Sequence, residues 1–136
     1  ARSMAWFASA GDRGDLQSQG AARLVEAMMQ HPELVAGEGR SCTALMRAMG
    51  GKAAVKTGAE AVFIAILPER KLGVALKIVD GATRASECAI TALLVAMGVL
   101  DPAHPAARAY LDVPQLNRRG IDTGSIRAVQ ELRRPI

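Results

Sequence analysis

Lys56, Thr57 and Gly58 stand side by side, and together they could serve a reaction on a small polar substrate. A lysine there sets a cation beside a substrate carboxylate and the reacting centre. The threonine offers a hydroxyl donor. The glycine has no side chain, so a substrate can come up against the strand backbone. A nucleophile to work with them is missing. None of Ser3, Ser9, Ser18, Ser41, Ser86 and Ser125 has a lysine three places on, and there is no G-x-S-x-G, P-loop or H-E-x-x-H. His31 and His104 are each followed by proline and read as exposed loop histidines, not bases. Cys42 and Cys88 form no C-x-x-C and no zinc-ribbon spacing, so no metal site is expected in this chain. Cys42 reads as a small apolar residue on a helix face, not a nucleophile. Glu38 and Arg40 admit two readings: an ion pair that orders a loop, or the rim of a substrate pocket. Asp80 reads as a turn or helix-cap residue.

The elements that must position these residues follow from periodicity. Gly11 to Asp15 reads as a loop. Asp15 or Ser18 can cap a helix whose Ala21, Leu24, Val25, Met28 and Met29 fall on one face. His31-Pro32 ends it, because proline disfavours the helical conformation at the residue before it. Gly37 to Arg40 is a loop, and Cys42, Leu45, Met46 and Met49 then repeat at helical spacing until Gly50-Gly51. Ala53 to Thr57 reads as a short strand that presents Lys56. Val62 to Leu67 is an unbroken apolar run, as in a strand covered on both faces. Pro68 to Lys71 is a polar turn. Leu72 to Val79 alternates, with Leu72, Val74, Leu76 and Ile78 on one face. Ala82 to Leu100 returns to helical spacing, with Ala89, Ile90, Leu93, Leu94 and Met97 on one side, and Ala106 to Leu111 gives one or two further helical turns. The order predicts an α+β fold, a sheet of about three antiparallel strands packed with helices.

A length of 136 residues matches one domain, and 50% apolar with 22% charged residues is an ordinary globular composition, which excludes disorder, collagen and a disulfide scaffold. The net charge of +4 is unevenly placed: residues 1–116 carry twelve basic and eleven acidic side chains, the last twenty carry five and two. None of Trp6, Phe7, Phe63 and Tyr110 lies among those arginines, so the stacking platforms of a nucleic-acid surface are absent and the basic end reads as solvated. No apolar run approaches the roughly 18 residues of a membrane span, and no signal peptide is evident. Two scattered thiols and these absences give a cytoplasmic expectation. The missing initiator methionine is consistent with a start inside a longer protein.

A longer pattern joins these features. The stretch His31-Pro32-Glu33-Leu34-Val35-Ala36-Gly37-Glu38-Gly39-Arg40, then Cys42-Thr43 and Leu45-Met46-Arg47-Ala48, resembles the Rhizobium-type, thermolabile L-asparaginases. The likeness continues through Lys56, Gly58 and Ala59, then Leu72-Gly73, Lys77-Ile78 and Asp80-Gly81. It fades after about Leu100 and returns weakly from Asn117 to Gly124. The resemblance implies a fold similar to the β-lactamases and glutaminases, and hydrolysis of L-asparagine to aspartate and ammonia by serine–lysine chemistry without an organic cofactor. It assigns the family's K-x-G lysine to Lys56; the family has leucine where Thr57 stands. Thr57, Gly58, Glu38 and Arg40 are then candidate substrate-binding residues. The family's nucleophilic serine, its S-x-x-K lysine and its zinc-binding cysteines have no counterpart in this chain, and Cys42 and Cys88 do not take the zinc positions.

The chain therefore reads as one domain, residues 1–136, forming the C-terminal portion of such an enzyme and inactive by itself. The rival is a non-catalytic dimerisation or interaction module. A third, weaker reading is a fragment of a penicillin-binding-like serine hydrolase, since Lys-Thr-Gly on an edge strand also lines those sites. A sheet this small leaves unpaired edges, and the segments 62–67 and 82–100 are expected to show apolar surface, which predicts a homo-oligomer.

Overall fold

The computed structural model describes residues 1–136. In chain order it comprises α1 (Arg2–Ala8), α2 (Leu16–Gln30), α3 (Pro32–Ala36), α4 (Ser41–Met49), β1 (Ala54–Thr57), β2 (Val62–Leu67), β3 (Leu72–Lys77), α5 (Thr83–Ala96), α6 (Pro105–Arg108), β4 (Val113–Leu116) and β5 (Asp122–Ile126). The fold is α+β, as expected. Asp15 starts α2 by accepting the Ser18 N–H at 2.9 Å, which satisfies one of the free donors of the first turn. Proline ends α2 at Gln30, but Pro32 also opens α3, where its missing N–H is no loss. Gly50 closes α4 in the left-handed conformation, at φ 57° and ψ 44°.

β1, β2 and β3 form one antiparallel sheet with β2 in the middle. Lys56 stands opposite Ile64 and Thr57 opposite Phe63; Ile66 stands opposite Gly73. Register and the two-residue period sort the side chains. Lys56, Ile64, Ile66 and Gly73 share one face, and Val55, Phe63, Ala65, Val74 and Leu76 share the other. The first face is covered by α1 and α2, whose Met4, Phe7, Val25 and Met28 meet Ile64 and Ile66. The second packs on α5, and Ile78, which continues that face, lines a cavity with Ala85 and Ala89. Phe63, Leu45, Met46, Met49, Ile90 and Leu94 are the large side chains at the centre of the core. Truncating Phe63 to alanine there costs on the order of 3–5 kcal/mol.

One element was not foreseen and two expectations need correcting. Residues 2–8 form α1, an element not foreseen: Met4, Phe7 and Ala8 fall at helical spacing and pack on the sheet. β3 stops at Lys77, and Val79 is fully exposed. The segment 82–100 presents little apolar surface, because α5 is buried nearly all round through Ser86, Cys88, Ile90, Thr91, Ala92 and Leu94, and in 62–67 what stays open is confined to a groove beside Ile64 and Ile66. The cover on the far side of α5 comes from the C-terminal region. β4 and β5 form a hairpin, and Ile126, Ala128, Val129 and Leu132 close over Cys88 and Ala89. Two bonds fasten that segment: Arg133 makes a forked ion pair with Asp112, and the Ile136 N–H donates to the Ala96 carbonyl at 3.1 Å. The backbone of the basic end thus packs on α5, while its five arginines stay exposed, as read, and Arg133 alone is paired.

Candidate active site

Lys56 is the third residue of β1 and is half-buried. It lines an open groove of about 320 Å³ between the sheet, α1 and α2. Met4 and Phe7 come from α1, Leu24 and Met28 from α2, Ile64 and Ile66 from β2. The Lys56 ammonium donates to the Thr57 carbonyl at 2.7 Å, and no carboxylate oxygen lies within 4.0 Å of it. A partly desolvated cation without a counter-ion is an unusual arrangement, because burying charge is costly unless it is paired. No serine or cysteine lines the groove.

Thr57 follows Lys56 on the strand, so its side chain takes the opposite face. Thr57 and Gly58 nonetheless border the groove through the strand end. The Thr57 hydroxyl is only loosely engaged, 3.5 Å from the carbonyl oxygens of both Gly58 and Val62. The Thr57 N–H points away from β2 and donates to the buried Cys42 sulfur at 3.2 Å. Cys42 therefore occupies the outer edge of β1, a role that its helical spacing did not disclose. The Gly58 N–H donates to the Val62 carbonyl at 2.7 Å, and a Cβ at position 58 would stand 3.3 Å from the Val62 Cβ. The space beside Gly58 is filled by Val62, so the glycine makes room for its own turn.

Glu38 and Arg40 do not pair with each other. Glu38 takes Arg47, in the last turn of α4, in a forked pair at 2.6 and 2.9 Å, and Glu33 joins at 3.5 Å. Arg47 holds the Glu38 carboxyl below its ordinary range, chiefly through that hydrogen bond, and Arg47 itself is shifted upward by the same contact. Arg40 caps the start of α4 with its backbone and is exposed. Neither residue lines the groove that holds Lys56. Their spacing in the sequence suited an ion pair, but the rise of α4 brings Arg47, not Arg40, alongside Glu38.

No three His, Cys, Asp or Glu side chains converge as a metal cluster. Burial raises the Cys88 thiol and the Tyr110 hydroxyl above their ordinary values. The residues that sequence reasoning missed are Met4 and Phe7, which wall the groove, and Cys42, which closes the strand edge. The helical spacing of Met4, Phe7 and Ala8 was the available signal for the first two.

Two comparisons bear on identity. No curated protein matches the chain. The family model for L-asparaginase II matches residues 1–128, and the chain belongs to that family.

Proposed function

We propose that this chain serves the hydrolysis of L-asparagine to L-aspartate and ammonia as the C-terminal portion of a serine–lysine amidohydrolase with a β-lactamase-like fold. The observation that carries the reading, beside family membership, is Lys56. It is a half-buried ammonium with no carboxylate partner, at the end of an edge strand. In the proposed site that cation holds the substrate carboxylate and stabilises the proton-poor form of a neighbouring serine–lysine pair. The nucleophile comes from outside these 136 residues, because no serine lies in the groove and Thr57 faces the other way. Thr57 and Gly58 border the groove and contribute backbone groups at the strand end. Glu38 and Arg40 form a rim only if a further segment brings substrate to that side.

The zinc associated with the family does not fit the cysteines present. The Cys42 sulfur is engaged with the Thr57 N–H, and Cys88 lies under the C-terminal segment with no set of ligands around it. Buried, unpaired thiols suit a reducing compartment, and we place the protein in the cytoplasm. No helix is long and apolar enough to cross a membrane. The outer edge of β3 is unpaired in the sheet, and a second copy pairing there would give the homo-oligomer.

The test is ammonia release from L-asparagine. The 136-residue chain by itself should release none above background. In the protein that joins this chain to a serine–lysine pair, Lys56→Ala should lower kcat/KM roughly a hundredfold to a thousandfold, since groups aimed at developing charge are commonly worth about 3–4 kcal/mol. The melting temperature should hardly move. Lys56→Arg should rescue poorly, because guanidinium is bulkier and does not give up its proton. Lys52→Ala, in the preceding loop, should be silent. Wild-type turnover in Lys56→Ala overturns the assignment.

A further inference from the structure

The walls of the groove at Lys56 are apolar apart from the strand end that carries the lysine, which is a poor match to asparagine alone. Met4, Phe7, Leu24, Met28, Ile64 and Ile66 offer only carbon and sulfur. At one end stands an ammonium with a single protein acceptor, the Thr57 carbonyl at 2.7 Å, and with capacity for two more. No carboxylate of the protein lies within 4.0 Å to neutralise it. A cleft of about 320 Å³ with an apolar body and one charged end has the form of a small-molecule site.

We infer that this groove binds a small amphipathic monocarboxylate, a medium-chain aliphatic acid, with the carboxylate on Lys56 and the hydrocarbon between α1, α2 and the sheet. The charge decides the head group: an anion gains a charge-assisted hydrogen bond and relieves the unpaired cation, whereas an amine meets like charge. The walls decide the tail: each methylene taken out of water tightens binding about fourfold. This occupant differs from the proposed substrate and uses only residues of this chain. Its failure and the failure of the asparaginase reading are separable, because binding is read on the 136-residue chain without turnover.

The experiment titrates the chain with sodium hexanoate, sodium octanoate, octan-1-ol and octylamine, followed by calorimetry and by the methyl signals of Met28 and Ile64. Octanoate should bind more tightly than hexanoate by about an order of magnitude and should shift both methyl signals. Octanol should bind more weakly than octanoate, and octylamine weakest. Lys56→Gln should cost octanoate roughly tenfold to a hundredfold and leave octanol unchanged. Leu24→Glu supplies a second variant at a rim position that is half-exposed, so folding is preserved. It should weaken octanoate and strengthen octylamine. Equal affinity for octanoate and octanol, an octanoate affinity indifferent to Lys56→Gln, or no shift at Met28 and Ile64 overturns the inference.

Discussion

Placing a methyl group at Gly73 tests how α1 closes the groove. Gly73 lies in β3 opposite Ile66, on the face that α1 covers. A Cβ built there stands 2.1 Å from the Ala5 nitrogen, 2.3 Å from the Met4 carbonyl carbon and 2.7 Å from the Met4 Cβ. The first two are backbone atoms, so no side-chain rotation relieves the clash. Ordinary contact begins at 3.4 Å, and reaching it from 2.1 Å requires α1 to retreat by about 1.3 Å, the difference. That movement lifts Met4 and Phe7 away from Ile64 and Ile66. Overpacking of this kind costs about 1–3 kcal/mol. The rigid backbone partners put Gly73→Ala at the upper end, a fall in melting temperature of roughly 10 °C for a domain of this size. Circular dichroism melts of the two proteins measure it directly. A variant melting within a degree of wild type would refute the seating of α1 on β3, and with it the wall of the groove.

Gly20→Ala is the opposite case: Gly20 sits inside α2 with nothing within 4 Å of an added Cβ, so the substitution should stabilise by about 0.5–1 kcal/mol, seen as a melting temperature a few degrees higher. Asp112→Asn should loosen the C-terminal segment by about 0.2–1 kcal/mol, the range for exposed pairs, and should speed native-state alkylation of Cys88, which that segment covers, more than that of Cys42. Acid should loosen the same segment in wild type: the Arg133 hydrogen bond holds the Asp112 carboxyl below its ordinary value of 3.8, so this contribution is complete above pH 3.8 and is lost as pH falls through the lower folded value, a loss that a closing gap in melting temperature between wild type and Asp112→Asn would show.

Periodicity alone located most of the sheet and its helices. The apolar run Val62 to Leu67 called for burial on two faces, and β2 has helices on both. The spacing of Cys42, Leu45, Met46 and Met49 is that of α4, and the glycine pair after it ends the helix as read. What escaped lies where local signal is weak and tertiary contacts decide. α1 is seven residues long, too short for periodicity to stand out, and it is held by its contact with Gly73. The β4–β5 hairpin is polar and mostly exposed, so it shows little alternation. It is fixed by packing under α5 and by the Asp112–Arg133 pair, 21 residues apart. At the site, Lys56 was legible as a residue type on a strand. Its lack of a counter-ion and the carbon walls around it depend on α1 and α2 folding over the sheet, which no local pattern records.

The turn behind Lys56-Thr57-Gly58 gives a physical reason to regard that strand end as more than a connection. Glu60 and Ala61 both adopt left-handed backbone conformations, at φ 52° and 56°. Neither is glycine, and each such residue costs on the order of 1 kcal/mol or more. A β1–β2 connection has unstrained alternatives, so the conformation persists only because its surroundings enforce it. The Lys77 ammonium donates to the Glu60 carbonyl and to the Ile78 carbonyl at 3.0 Å, tying the turn to the end of β3. The Ile78 N–H donates to the Ala61 carbonyl at 3.3 Å. These clamps are Lys77 and Ile78, two of the positions through which the chain resembles the asparaginases. They hold a strained turn whose other end is the Gly58 N–H bonded to Val62, one residue from Thr57 and two from Lys56. The strain and its clamps therefore act on the orientation of the strand end, and Lys56 is the group there with chemistry to orient.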